Sequence, residues 1–251
     1  MSEFIKNPNL PYGKVNAVIA GEGASEFFPS FEKLGIKVFT ASADTALSYP
    51  VRSHADMLVH HLGGNRILAA QSQNELCKLL ERDGFITEFI PEKLGEKYPG
   101  DILLNAARIG NVLLCNKNNI SSTLLHFSQN EHLFLENVRQ GYTKCSVAVL
   151  TEKAIITEDA GIAQICTEKY GMDVLLINKG CVRLDGYDYG FIGGACGKIS
   201  YDTIAFTGHI KNESVCTAVQ NFLDKLSLNE KFLSDGELRD IGGFLPISEV
   251  F

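Results

Sequence analysis

The chain has 251 residues, of which 45% are hydrophobic and 21% charged, a composition that excludes disordered, collagen-like and coiled-coil proteins. Its 30 acidic and 23 basic residues give a net charge of −7. No cluster of lysine and arginine supplies the basic surface that nucleic-acid binding requires. The acidic balance favours a small cationic partner, although solubility alone explains the same balance.

Residues 1–14 include Glu3, Pro8 and Pro11 and lack the apolar core of a signal peptide. No uncharged apolar run approaches the roughly 20 residues that span a bilayer. The seven cysteines are scattered and never form a CxxC pair, which argues against a disulfide framework and a zinc site. We therefore expect a cytoplasmic protein that binds no membrane and no metal, and a homo-oligomer is left open.

The first predicted unit is a short β-α-β segment. Residues 15–21 and 36–42 are apolar runs typical of strands, and residues 25–35 between them have helical periodicity. This pattern predicts two strands joined by one helix.

The turn after the first strand imitates a dinucleotide-binding fingerprint. Gly21 and Gly23 open the helix, and Asp44 follows 23 residues after Gly21. Glu26 stands where the third glycine belongs, and its carboxylate would face the pyrophosphate and crowd the contact between helix and strand. We therefore expect no cofactor.

A longer unit then recurs, with two short apolar runs around a tight turn, a helical segment and a final apolar run. Its first copy has a hairpin over residues 56–70, a helix over residues 72–84 and a strand over residues 85–91. The next hairpins are predicted over residues 101–116, 146–158 and 189–208, and the strands that end these units over residues 132–138, 172–179 and 236–247. Helix starts are predicted near Ser25, Ser72, Ser121, Asp159 and Asn212.

Five such units nearly exhaust the chain. A hairpin before each helix argues against an ordinary doubly wound sheet, because parallel βαβ units need no hairpin. The sequence therefore predicts one α/β domain over residues 1–251, a five-bladed propeller of ββαβ repeats with pseudo-fivefold symmetry. The unit bounds are about 14–43, 54–92, 100–139, 144–180 and 186–251.

Five ββαβ units of this size resemble the pentein fold, or guanidino-group-modifying superfamily, which includes arginine and agmatine deiminases, amidinotransferases and dimethylarginine dimethylaminohydrolase. Gly193–Gly194 is similar to the Gly-Gly-Asp hairpin of that superfamily. The resemblance implies a guanidine or amidine substrate, bound by carboxylates. It also implies a cysteine near the C-terminus that attacks the guanidino carbon and a histidine that transfers protons.

The sequence departs from that pattern in ways that indicate an atypical active site. Ala195 stands where the acid of the hairpin is expected, and no cysteine follows Cys216. Arg239 and Asp240 occupy the C-terminal region instead.

The densest polar cluster is residues 53–64. If this segment is a strand, His54, Asp56 and His60 alternate onto one face, where the carboxylate could orient an imidazole base or hold a cation. A structural strand with hydrogen-bonded histidines explains the same residues.

Among the thiols we favour Cys196 as a nucleophile, because the glycines around it permit an exposed turn, and we rank Cys145 lower. His54 and His60 are the remaining catalytic candidates. Alternatively, Cys196 is buried in the packing of the hairpin, where a thiol behaves as a small apolar side chain.

Four polar residues on or beside equivalent strands would converge on a central channel and bind the substrate. Asp56 and Asp240 together could hold a guanidinium or ammonium group. Capping of backbone amides, or ion pairs with Arg108 and Arg239, explains these acids equally well. The four residues are Asp56, Asn105, Arg108 and Asp240.

Two functions follow from these features. The first is a hydrolase or deiminase that acts on a C–N bond of a guanidine or amidine compound. The second is a catalytically silent ligand-binding protein that has lost the nucleophilic cysteine. The His54/Asp56/His60 cluster favours the first, and the missing C-terminal cysteine favours the second.

Overall fold

The first elements of the computed structural model, which describes residues 2–251, form the predicted β-α-β segment. An edge strand, β1 (Ser2–Phe4), precedes β2 (Lys14–Gly21) and α1 (Phe28–Lys33), and β3 (Lys37–Ala41) pairs with β2 in parallel. A 3-10 turn over Glu22–Phe27 joins β2 to α1.

Four complete ββαβ units follow, each with an antiparallel hairpin, a helix and a third strand parallel to the second. A four-residue helix, α2 (Ala55–Leu58), precedes the first of them. Their elements are β4 (Val59–Gly63), β5 (Arg66–Ala69), α3 (Asn74–Arg82) and β6 (Ile86–Phe89); β7 (Ala107–Ile109), β8 (Val112–Cys115), α4 (Ser122–Asn130) and β9 (Phe134–Asn137); β10 (Val147–Thr151), β11 (Ala154–Thr157), α5 (Ala160–Tyr170) and β12 (Asp173–Leu176); β13 (Cys196–Ser200), β14 (Thr203–Phe206), α6 (Glu213–Lys225) and β15 (Asn229–Phe232).

The C-terminal strand completes the first unit rather than the last. We expected residues 236–247 to close the fifth unit, but β15 has that place. Strand β16 (Phe244–Val250) instead pairs antiparallel with β2, so that β16, β2, α1 and β3 form the fifth ββαβ unit. The two ends of the chain therefore share one sheet, and β1 extends it by pairing with β16.

The residue at which the helix begins is set by the local sequence in three of the four complete ββαβ units. The side chains of Ser121, Asp159 and Asn212 each accept a hydrogen bond from a backbone N–H in the first helical turn. The second unit differs, because α3 begins at Asn74 with Gln73 as its N-cap. The Gln73 side chain is held by the backbone of Ser42, a contact that local sequence does not specify.

Hydrogen bonds join the loops that precede the first strand of each unit into a closed ring. Asp56 N–H donates to Gly242 O (3.2 Å), and Gly194 N–H donates to Cys145 O (3.1 Å). Between them, the Asn105 side chain replaces a peptide group, because its Nδ2 donates to Asp56 O and its Oδ1 accepts from Lys144 N–H. The ring closes where Ile241 and Gly243 donate to Gly194 O (2.9 and 2.8 Å). This ring fixes five loops around one centre.

No helix within residues 2–251 is both long and apolar enough to cross a membrane.

Candidate functional site

Residues from four of the five ring loops line a cavity of about 260 Å³, which we call the central cavity. Apart from tyrosines, its polar side chains are His54, Cys145, Asp188 and Asp240. A wider cavity of about 430 Å³ adjoins it, since His54, Leu184 and Asp240 line both. The centre of the ring is therefore open to a small molecule.

Aromatic rings form one wall of the central cavity. Tyr142 and Phe191 stack with ring centroids 6.3 Å apart, and Tyr189 packs edge-on against Phe191 at 5.8 Å. Tyr142 is held in place because its hydroxyl donates to Asp101 (2.6 Å), and the Tyr187 hydroxyl lies 3.0 Å from Ser48 Oγ. Aromatic faces attract organic cations, so this wall suits a cationic ligand.

Cys145 is the thiol of the central cavity. Its Sγ donates to Asp56 Oδ2 at 3.0 Å and accepts from Asn105 Nδ2 at 3.1 Å. Burial, the main cause, and the charges of Asp56 and Asp240 raise the pKa of the Cys145 thiol well above its ordinary value. The thiol is therefore protonated near neutral pH and needs a base before it can attack.

Asp56 is positioned to be that base. Burial, reinforced by the charge of Asp240, raises the pKa of Asp56 to about 7, while the Lys144 ammonium opposes the shift. Its Oδ2 contacts Cys145, and its Oδ1 has no hydrogen-bond partner within residues 2–251. A carboxyl group with a pKa near 7 exchanges protons readily at neutral pH.

His54 and Asp240 form the second polar pair, with His54 Nδ1 3.7 Å from Asp240 Oδ1. The Asp240 carboxylate is fixed by hydrogen bonds from Phe191 N–H and Gly242 N–H, both 2.9 Å. Burial lowers the pKa of His54 despite the opposing charge of Asp240, so the imidazole is neutral and can accept a proton.

The predicted His54/Asp56/His60 face does not exist, because Ala55–Leu58 is helical rather than extended. The helical turn directs His54 away from the other two side chains. His54 faces the central cavity, whereas Asp56, behind Cys145, and His60 both line a small inner cavity of about 10 Å³, room for about one water. His60 Nδ1 lies 3.3 Å from Leu104 O, and burial lowers the pKa of His60 to about 3.

The remaining predicted residues are also placed differently from expectation, except Asp240, which lines the central cavity. Asn105 is fully buried, and its amide is used by the ring. Arg108 lies within β7 and donates from Nε to Gly110 O, away from the central cavity. The structure does not bring Cys196 to the site, because its Sγ donates to Ile192 O (3.1 Å) and burial raises its pKa to about 12.

Sequence reasoning missed the aromatic wall. Tyr142 and residues 187–188 lie in loops outside the predicted strands, and residues 189–191, which the sequence assigns to the start of a hairpin, lie in a loop as well. The concentration of tyrosine and aspartate beside glycine in residues 184–191 was the available signal, since a connecting loop has little other reason to hold so many aromatic side chains.

Glu158, a buried acid beside this site, gives a testable pH dependence. Its Oε1 accepts from Ile192 N–H (2.7 Å), and burial raises its pKa from 4.5 to about 8. Between these values the folded state holds a proton that the unfolded state has lost, so the free energy of unfolding falls as pH rises. The lowered pKa values of His60 and His61 act oppositely, but only below about 6.5.

We therefore expect Glu158→Gln to reduce the loss of stability between pH 6.5 and 8 by roughly 1–2 kcal/mol. Urea unfolding at several pH values measures this loss, and Glu168→Gln, at an exposed position, is the matched control. Equal slopes for the wild type and Glu158→Gln would contradict the raised pKa.

Comparison with known proteins places the chain in a family. The model of a family of unknown function, DUF6873, matches residues 18–245. The chain belongs to this family. No curated protein sequence matches it.

Several solved structures are similar in fold. The amidinotransferase SxtG of saxitoxin biosynthesis from Microseira wollei superposes with a TM-score of 0.63 at 11% identity, over 97% of both chains. The inosamine-phosphate amidinotransferase StrB1 from Streptomyces griseus gives 0.59 at 12% identity, over 95% of both chains. The DDAH from Pseudomonas aeruginosa gives 0.55 at 9% identity, over 95% of this chain and 100% of its own. These likenesses confirm that the chain has the predicted pentein fold.

Proposed function

We propose that this protein binds a small guanidinium or amidinium compound in the central cavity and cleaves a C–N bond of that compound, with Cys145 as the nucleophile. The observation that carries the proposal is that one cavity combines an aromatic wall, the carboxylate of Asp240 and the thiol of Cys145. Solved structures of similar fold include two amidinotransferases and an agmatine deiminase, which modify guanidino groups.

Charge supports a cationic ligand. Asp188 and Asp240 line the central cavity, and none of its described lining residues is lysine or arginine. A carboxylate fixed by backbone N–H groups offers a preformed acceptor for a planar N–H donor. The tyrosine and phenylalanine rings would then contact the face of the delocalised cation.

The chemical step follows from the contacts of the thiol. Asp56 Oδ2 takes the thiol proton over 3.0 Å as Sγ forms a bond to the guanidino carbon. The tetrahedral adduct then expels one nitrogen as an amine, which leaves with the proton held by Asp56. The neutral imidazole of His54 accepts one proton from the water whose oxygen attacks the amidino carbon. The C–S bond then breaks, the second proton of that water passes to Sγ, and Cys145 is released as a thiol while the carbon leaves as a urea.

A catalytically silent binding protein is the second candidate. The observation that favours it is the environment of Cys145, where two carboxylates oppose the formation of a thiolate. In that case the cavity binds the cation and the thiol stays protonated. Detection of ammonia or an amine product from a bound guanidine distinguishes the two candidates.

Calorimetric titration tests the binding step directly. We expect butylguanidine to bind at least about tenfold more tightly than butylurea, its neutral isostere, because only the cation gains charge-assisted hydrogen bonds. Asp240→Asn should remove this preference. Equal affinity for the two compounds would contradict the proposed site.

A further inference from the structure

A second cavity, of about 390 Å³, lies between the N-terminal segment and the units that contain β10 and β13. It shares no lining residue with the central cavity. Leu10, Leu150, Leu226 and Leu228 give it apolar walls, and Lys198 from β13 is its single cationic lining residue among those described. We call it the Lys198 cavity.

The Lys198 amine is buried without a carboxylate partner. The residue is only 3% exposed, and Nζ donates to the backbone oxygen of Tyr201. No carboxylate oxygen within residues 2–251 lies within 4.0 Å of Nζ. A lysine held in this way is found far less often than an ion-paired one, since burial of an unpaired ammonium is costly.

The acids at the cavity are engaged elsewhere. Asp202 accepts hydrogen bonds from Ser200 and Thr203, and Glu152 accepts from Asn7 and Tyr12. The titratable groups that line the cavity with Lys198 are thus Tyr12, Glu152, Tyr201 and Asp202. Burial lowers the pKa of Lys198 from 10.5 to about 8, with Asp202 opposing, so an appreciable fraction of the amine is neutral near pH 7.5.

We propose that Lys198 is a carbonyl-binding site, at which its amine forms a reversible imine with a small uncharged aldehyde or ketone held by the apolar walls. The Nζ lone pair attacks the carbonyl carbon, and the carbonyl oxygen leaves as water with the two protons of the neutral amine, so that a C=N bond replaces the C=O bond. The two acids at the cavity disfavour anionic carbonyl compounds. This site is independent of the proposed chemistry at Cys145.

Reductive trapping tests the proposal on the native protein. The chain is incubated with benzaldehyde and cyanoborohydride at pH 7, and labelled lysines are quantified by peptide mass spectrometry. We expect Lys198 to be labelled at least about tenfold faster than the exposed Lys153 and Lys225, because burial lowers the pKa of Lys198 to about 8 and leaves more of its amine neutral at pH 7. Lys198→Met should remove this fast phase alone.

A bulky aldehyde separates entry into the cavity from general amine reactivity. Dextran-linked aldehyde should label exposed lysines and leave Lys198 unmodified, because the polymer cannot enter 390 Å³. Benzaldehyde labelling of Lys198 no faster than that of Lys153 would overturn the proposal. Equal labelling of Lys198 by both aldehydes would also overturn it. Both measurements use the wild-type chain and stand even if Lys198→Met fails to fold.

Discussion

Cys145→Ala is expected to lower kcat for a guanidine substrate by roughly 10³-fold or more, because loss of a nucleophile removes the covalent route. Binding should change little, since Cys145 is a neutral thiol and the cationic ligand is held by Asp240 and the aromatic wall. Steady-state kinetics and calorimetry on the same variant separate the two effects.

Cys196→Ala is the matched control for this experiment. Cys196 is also a buried thiol, but it lies within β13 and donates to Ile192 O. We expect its replacement to cost some stability and to leave kcat per folded molecule unchanged. Loss of turnover in Cys196→Ala with full turnover in Cys145→Ala would assign the nucleophile to Cys196 and reject our mechanism.

Gly193→Ala is expected to destabilise the fold by at least about 3 kcal/mol, near the upper limit for overpacking. A Cβ on Gly193 would lie 2.4 Å from Lys144 O and from Val147 O, both backbone atoms that cannot rotate away. The loop that carries Cys145 would have to move, and the hydrogen bond from Gly194 N–H to Cys145 O would be strained.

Urea unfolding measures this cost, and Gly95→Ala serves as the control. A Cβ on Gly95 would meet its nearest atom, Gly100 Cα, at 3.6 Å, an ordinary contact. We expect this variant to stay within about 0.5 kcal/mol of the wild type. A small effect of Gly193→Ala would mean that the ring of loops tolerates expansion.

Local sequence patterns determined the repeat. Alternating apolar runs, tight turns and capping residues such as Asp159 and Asn212 act over a few positions, so the hairpin and long helix of each repeated unit could be located without knowledge of its neighbours. The prediction of a five-unit fold followed because each of the four later units has a hairpin before its helix. The sequence did not determine which strand completes the first unit, because the pairing of β16 with β2 joins residues more than two hundred positions apart.

The site depended on tertiary structure throughout. His54, Asp56 and His60 have the spacing of one strand face, yet α2 directs His54 to the central cavity and leaves Asp56 and His60 at the inner one, while a ring contact fixes Asp56 N–H on Gly242 O. Cys145 and Cys196 have similar sequence contexts, because each lies beside the start of a predicted hairpin. Only the convergence of ring loops places Cys145 against Asp56 and the central cavity, while Cys196 packs among apolar side chains. The shifted pKa values of the site residues likewise arise from burial and neighbouring charges, and both depend on the tertiary structure.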